Sequence, residues 1–424
     1  MKPTYTIAEV YTINAKCETP LRTGGNGDSL EIVLYREDGR AIIQGTSIAG
    51  ALRAWCARSE SRETENLFGN QNRAGHLIIS EGIFDPDAEM QQRPRVSIDG
   101  ANGVANQGGK YDVAHIASGS EFQFTITWLG DDECVNEIKT VENMLSALNN
   151  GEIQFGAYKT NGFGRVSIKA YRQSYDLKNK NDLKEWLDES KEKVHIKLTE
   201  NKESSYVRFI VEGSVDSLLV KSAYPEIIKD DDGSEKTVTV NINENGKMIL
   251  PASSLKGAVK SRAEAIVDYM HIGDGIKDRA FGNSERSGSV YFEDVILNLP
   301  ESCRPRIRIN YFTGGVISRA LFNENVLSGN LEICLKVKKD AAVCALVLLA
   351  LRDLGLGMYS IGSGMSVGRG FINVKSIKVE NVDNKNASLQ FDEQKKMSVK
   401  DSGNVFKGWL EALRGYIDAD TDEC

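Results

Sequence analysis

The feature that most restricts this chain is a repeat of order. Phe155-Gly156-Ala157-Tyr158-Lys159-Thr160-Asn161-Gly162-Phe163-Gly164-Arg165 precedes an alternating apolar run that starts at Val166. Gly362-Ser363-Gly364-Met365-Ser366-Val367-Gly368-Arg369-Gly370 precedes another that starts at Phe371. Gly156 and Gly362, Gly162 and Gly368, and Gly164 and Gly370 are each 206 residues apart. Gly39 and Gly246 differ by 207, as do Ser47 and Ser254; Phe68 and Phe281 differ by 213, and Gly119 and Gly329 by 210. Unrelated landmarks that keep their order near one offset predict a tandem duplication, so a fold for one half must serve the other.

Hydrophobic periodicity gives the unit that is repeated. In the first half a strand is expected from about Thr4 to Lys16, followed by a loop, Thr19 to Ser29, that contains Gly24-Gly25-Asn26-Gly27-Asp28-Ser29. Two short strands turned by Asp38-Gly39 follow within Leu30 to Ile43. Then come a helix, a strand over His76 to Phe84, a strand over Glu121 to Leu129, a helix marked by Ile138, Val141, Leu145 and Leu148, and a last strand from Val166 to Tyr171. The second half repeats this with strands Val207–Leu219, Ser289–Leu297, Asn330–Val337 and Phe371–Val379, a hairpin turned at Asn245-Gly246, a helix from Ser254 and an apolar helix, Ala341–Leu354. Arg95–Gly119 and Arg306–Gly329 hold too few apolar residues for a core and read as surface excursions. The expected fold class is therefore α+β: two tandem ferredoxin-like (RRM-like, βαββαβ) modules, each with a thumb-like insertion and a glycine-rich loop. The boundaries fall at 1–175 for the first module, 176–204 for a charged linker with a short helix, 205–382 for the second module, and 383–424 for a C-terminal helix and acidic tail.

The first helix of each half carries the clearest chemistry. Ser47 and Ser254 stand where an N-cap hydroxyl would accept the free amides of a first turn. Ile48, Leu52 and Trp55 share one face, as do Leu255, Val259 and Ile266. The other face shows Arg53 in one copy and Lys256 and Lys260 in the other. Amides, hydroxyls and cations together suit a phosphate.

Composition limits the alternatives. With 424 residues, 41% hydrophobic and 26% charged, the chain has the make-up of a soluble globular protein. Met-Lys-Pro-Thr-Tyr-Thr lacks the apolar core of a signal peptide. The seven cysteines include no Cys-x-x-Cys pair, and the four histidines are not at metal-ligand spacing. These features predict a cytoplasmic protein with no membrane partner. A net charge of −8 does not exclude nucleic acid, because binding depends on local positive surface.

The helix start Ser253-Ser254-Leu255-Lys256-Gly257, the segments Phe68-Gly69-Asn70 and Phe281-Gly282-Asn283, the two excursions and the two glycine-rich loops resemble, in this order, the RAMP-superfamily backbone subunits of type III CRISPR–Cas interference complexes. The resemblance covers nearly the whole chain and is that of two such subunits fused. It implies a guide-RNA-binding palm, stacking into a helical filament, and a thumb that pushes one base of the guide–target duplex aside. The implied partners are CRISPR guide RNA, target RNA, other RAMP backbone subunits, a small helical subunit and the large subunit.

That resemblance assigns residues. RNA contacts fall to Thr46, Ser47, Arg53, Arg58, Lys159, Thr160, Asn161 and Arg165 in the first half, and to Ser253, Ser254, Lys256, Lys260, Ser363, Ser366 and Arg369 in the second. Ala49 stands where the second copy has Lys256, so the first grip leans on Arg53 and Arg58. Val104 and Val316 are the thumb wedges, with Tyr111 and Phe312 placed to stack. In catalytic members a loop aspartate after the first strand supports metal-dependent cleavage of target RNA, and Asp28 sits in that loop. Its carboxylate would hold a divalent cation, Mg²⁺ or Mn²⁺, transiently and together with the RNA phosphate. Subtracting 207 from the second loop sets Glu235 opposite Asp28, among Asp230, Asp231 and Asp232; Asp232 is the residue chosen. The alternatives are a non-catalytic guide-RNA scaffold and a guide-processing ribonuclease. The latter needs a histidine near the first helix, and His76, His115, His195 and His271 all lie elsewhere.

Overall fold

The computed structural model describes residues 5–23, 34–59, 61–98, 105–199, 205–222, 224–229, 235–382 and 385–416. They divide into two compact units. The first comprises Met1–Arg95, Tyr111–Lys159 and Phe163–Ser204; the second comprises Val96–Lys110, Thr160–Gly162 and Ser205–Cys424. Both units mix helices with large, mainly antiparallel sheets.

In chain order the first 204 residues form β1 (Ile7–Cys17), β2 (Leu34–Tyr35), β3 (Ala41–Ile43), α1 (Gly45–Ser59), α2 (Ser61–Phe68), β4 (Leu77–Ile79), β5 (Gly82–Phe84), β6 (Met90–Ile98), β7 (Ala105–Ile116), β8 (Glu121–Gly130), α3 (Asn136–Asn149), β9 (Val166–Asp176), α4 (Lys180–Leu187) and β10 (Val194–His195). β1 lies antiparallel between β9 and β8, with Ile7 opposite both Asp176 and Gly130. Beyond β8 the sheet continues through β5, β3 and β2, and β4 also pairs with β8. Phe122, Phe124, Ile126 and Trp128 alternate along β8 and are all buried, because period-two spacing turns them to one face. Ile48, Leu52 and Cys56 of α1 and Val141, Leu145 and Leu148 of α3 close over that face.

The second unit adds β11 (Tyr206–Leu218), β12 (Glu226–Lys229), β13 (Glu235–Thr239), β14 (Asn243–Glu244), β15 (Lys247–Leu250), α5 (Ala252–Met270), α6 (Gly275–Phe281), β16 (Val290–Phe292), β17 (Val295–Ile296), β18 (Glu301–Ile309), β19 (Val316–Lys338), α7 (Ala341–Gly355), β20 (Ile372–Val382), β21 (Lys385–Phe391), β22 (Met397–Asp401) and α8 (Val405–Arg414). Its sheet runs β12-β13-β19-β11-β20-β21-β22, and β16 and β18 also pair with β19. Asn245 and Gly246 both have positive φ, as a two-residue hairpin turn of type I′ requires. α7 is apolar on every side and must be buried on every side. It lies in one core with Leu255 and Val259 of α5, Trp409 and Leu413 of α8, and the inner face of the sheet. Asp340 caps it, accepting from the Ala342 and Val343 amides at 3.2 and 3.3 Å. Its one buried carboxylate, Asp353, is held by Arg262 and Arg352, each at 2.7 Å.

The excursions contain paired strands, and two other expectations need correction. β6 and β7 pair, and they bury Arg93, Val113 and Ile116. β18 pairs with β19, a single 23-residue strand that runs from the hairpin tip into the sheet. Alternation is present in β6 and β18, where Arg93 and Arg95, and Arg304, Arg306 and Arg308, interleave with apolar residues. The serines 47 and 254 are not caps. α1 starts at Gly45 and α5 at Ala252, after Pro251, and the cap is tertiary: Asp294 accepts from the Ala252 amide at 2.7 Å. Finally, residues 385–401 form two strands before the last helix; β21 extends the sheet beside β20.

Gly164 has φ +85°, and an added Cβ would collide with the Phe155 carbonyl oxygen. Gly164→Ala is expected to destabilise the chain by about 2 kcal/mol or more. A lowered urea midpoint with an unchanged m-value would show this.

Candidate functional site

Each glycine-rich loop is tied to the chain leaving the first strand of its half. In the first, the Ala157 amide donates to the Arg22 carbonyl at 2.9 Å, and the Gly164 amide donates to the Pro20 carbonyl at 2.8 Å. In the second, Ser363 donates to the Leu219 carbonyl at 2.8 Å, and Gly370 to the Ser217 carbonyl at 2.7 Å. The amides of Ala157, Gly164, Ser363 and Gly370 are thus engaged within the protein, and the loop glycines serve close backbone approach. A short 3₁₀ turn fills each loop, at Lys159–Asn161 and Met365–Val367.

The residues expected to touch RNA fall into several places. Thr46, Ser47, Arg53 and Arg58 lie exposed on α1. Burial lowers the Lys159 pKa from its ordinary value, and the Arg58 charge beside it adds to the effect. Within the second unit the Lys256 Nζ donates to the Thr160 Oγ1 at 3.0 Å, and the Asn161 Oδ1 is buried without a hydrogen-bond partner among the described residues. Ser253 and Ser254 are half-buried in the first turn of α5, and Lys260 pairs with Glu264 at 3.7 Å. Arg165 is half-buried at the loop's end, its amide donating to the Thr19 Oγ1 at 3.0 Å. Ser363 is half-buried and Ser366 exposed. Arg369 is buried against the Glu324 carboxylate.

Phe312 lies at the tip of the β18–β19 hairpin and is 93% exposed; Val316, opposite Ile309, is 63% exposed. Tyr111 is on β7 and 48% exposed. Asp28, Asp232 and Val104 lie outside the described residues.

One cluster of the first unit was missed by the sequence reading. The Arg95 guanidinium carbon stands 4.5 Å from the Tyr158 ring centroid and 5.3 Å from that of Phe163. Arg93 stacks on Phe163 at 5.1 Å, and Arg22 on Tyr158 at 5.2 Å. Such stacking suits a planar, weakly hydrated guanidinium. A signal for it was present: Arg93-Pro94-Arg95 recurs as Arg304-Pro305-Arg306, an offset of 211 like the other landmarks.

The family model for the RAMP superfamily matches residues 14–167 and 194–373. The chain belongs to the RAMP superfamily. No curated protein matches it. Among solved structures it is similar to a chain of "Cryo-EM structure of the Type III-B Cmr-beta bound to cognate target RNA", at 15% identity and a TM-score of 0.32. That likeness covers 38% of this chain and 58% of the other.

This RAMP chain also brings His76, Cys134 and Glu137 together, with donor atoms within 4.8 Å of one another. The donors are already engaged. The Glu137 Oε2 lies 2.7 Å from the His76 Nδ1 and accepts from the Trp128 Nε1 at 2.8 Å. Burial pushes the Cys134 thiol up to about 11, which disfavours the thiolate a metal needs. The group works as a polar clasp between β8 and the start of α3. Glu137→Leu, which strips two buried groups of their acceptor, is expected to cost roughly 2–4 kcal/mol. Chemical denaturation of the full chain measures it.

Proposed function

We propose that this RAMP chain is a guide-RNA-binding backbone subunit of a type III CRISPR effector complex and that it cleaves guide-paired target RNA. The observation that carries the reading is the double family match, one in each half of a single chain. The reading takes the two halves as tandem ferredoxin-like modules, 1–175 and 205–382, descended from one duplicated unit. The neighbour order β9-β1-β8-β4 in the first sheet and β20-β11-β19-β16 in the second supports it, since a split βαβ unit sets its strands in that order. The β18–β19 hairpin, exposed along the whole of β18 and tipped by Tyr311 and Phe312, supports the thumb role.

Under this reading affinity comes from phosphates and falls with salt, while sequence specificity comes from guide–target pairing. Lys159, Arg58, Lys256 and Lys260 supply local positive charge on an acidic chain. The complex includes further RAMP subunits, a small helical subunit and the large subunit, and acts in the cytoplasm. Among the described residues no helix is long and apolar enough to cross a membrane.

Cleavage is assigned to Asp28 of the expected Thr19–Ser29 loop, which lies outside the described residues; five residues before it, Thr23 donates its hydroxyl to the Ile42 carbonyl at 3.3 Å. A bound Mg²⁺ or Mn²⁺ would supply charge stabilisation at the reacting phosphate. The part of this chain is to carry the carboxylate, hold the RNA backbone beside it, and keep the strand in register.

The assembled complex with guide RNA and end-labelled complementary RNA tests this. Asp28→Ala is expected to remove one band of the cleavage pattern, slowing that cut by about a hundredfold or more, with RNA binding intact. Asp232→Ala and Glu235→Ala then report on the second half. If every band survives all three substitutions, the chain is a scaffold and the cleavage assignment falls.

A further inference from the structure

Arg95 is 7% exposed, and its Nε and Nη2 have no hydrogen-bond partner among the described residues. Those two nitrogens form one edge of the guanidinium, the edge that presents two parallel N–H donors. Burial lowers the Arg95 pKa; Tyr111 opposes the shift and Arg93 adds to it. An arginine keeps its charge under any ordinary condition. A buried charge with an idle bidentate edge is costly unless a counter-ion arrives from outside.

The second half shows what an internal solution looks like. Glu324 lies on β19 across from Arg304, and its carboxylate takes both Arg306, at 3.2 Å, and Arg369 of the glycine-rich loop. Glu324 stands five residues before Gly329; the residue five before Gly119 is Ala114, beside Val113, and both are buried. The first half therefore keeps the Arg-Pro-Arg step and drops the carboxylate. It also has Arg22 where the second has Leu219, each carbonyl facing a loop glycine, Gly156 or Gly362.

We infer that Arg95 is the base of a phosphate-binding pocket in the first half, stacked on Tyr158 and Phe163, which takes one phosphodiester of the bound RNA. The second half, neutralised by Glu324, has no such pocket. Two non-bridging oxygens of a phosphodiester match the idle Nε–Nη2 edge. Tyr111, whose side chain hydrogen-bonds Arg95 and is half exposed, borders the site on its solvent side. The inference rests on the RNA-binding reading for the source of the phosphate.

The test uses the full chain and a labelled single-stranded RNA, titrated at several salt concentrations, with wild type, Arg95→Met and Arg95→Lys. A parallel series records melting temperature in chloride and in inorganic phosphate. Arg95→Met is expected to weaken RNA binding about five- to tenfold and to lower the salt slope by about 0.7, the share of one phosphate contact. Arg95→Lys, which keeps the charge and loses the bidentate edge, falls between. In chloride Arg95→Met melts no lower than wild type, because an apolar chain replaces an unmatched charge; phosphate raises the melting temperature of wild type alone. Wild-type affinity and slope in both variants overturn the inference. If only the phosphate protection is lost, the pocket holds a free anion and the assignment to RNA is overturned. If wild type itself binds no RNA, the RNA-binding reading fails first, and the phosphate series alone reports on the pocket.

Discussion

The structure depends on a backbone-to-backbone approach that admits no side chain. At Gly156 an added Cβ would strike the Arg22 carbonyl, and at Gly164 the Phe155 carbonyl; in the other half Gly362 meets the Leu219 carbonyl and Gly370 that of Ile361. The contacts of Gly164 and Gly370 close each loop on itself, and those of Gly156 and Gly362, with the hydrogen bonds, knot it onto the chain leaving the first strand. The two strands are adjacent in the sheet, β9 on β1 and β20 on β11. The knot therefore fixes the end of the sheet beside Pro20 and Arg22. It also sets Tyr158 and Phe163 where Arg22, Arg93 and Arg95 can stack on them.

Around this shared knot the two units bury their helices differently. α3 is amphipathic and shows its polar side to solvent, with Glu142 paired to Arg172 at 2.9 Å. α7 is buried on nearly every side and needs α8 as a cover, with Val405, Phe406, Trp409 and Leu413 turned inward. One helix closes a layer, and the other lies inside one. This is why β21, β22 and α8 are present after the last strand of the repeat.

What could be read in the sequence follows from where the constraint is local. The alternation along β8, the apolar run of α7 and the Asn245-Gly246 turn are local, and their strands and helices lie where the pattern puts them. The glycine spacing was legible because positive φ and close approach leave glycine little competition. Where the partner is distant, the sequence misled. Ser47 and Ser254 looked like caps, yet the α5 start is capped by Asp294, 42 residues away. The ribbon strands β6 and β18 do alternate, with Met90, Pro94, Val96 and Ile98 on one face of β6 and Cys303, Pro305, Ile307 and Ile309 on one face of β18, but the arginines between them gave the stretches a polar look. Arg93 and Arg95 look like surface residues in a polar stretch. Their burial depends on Tyr158 and Phe163, more than 60 positions away, and only the recurrence of Arg-Pro-Arg pointed to them.

That recurrence shows how two copies of one fold can diverge without disturbing the core. Both keep the arginine step at the base of the hairpin and the loop that packs over it. In the second, Arg369 occupies the loop position that Phe163 holds in the first, each one residue before the closing glycine. An arginine there calls for an acid, and Glu324 supplies it. A phenylalanine there offers a ring, and the hairpin arginines stack on it. Stacking supports a guanidinium from its faces, and on Arg95 the Nε and Nη2 donors have no hydrogen-bond partner among the described residues. The substitution thus turns an internal ion pair into an open edge on Arg95. In the first half that Nε–Nη2 edge waits for an anion, and in the second Arg306 and Arg369 share the carboxylate of Glu324.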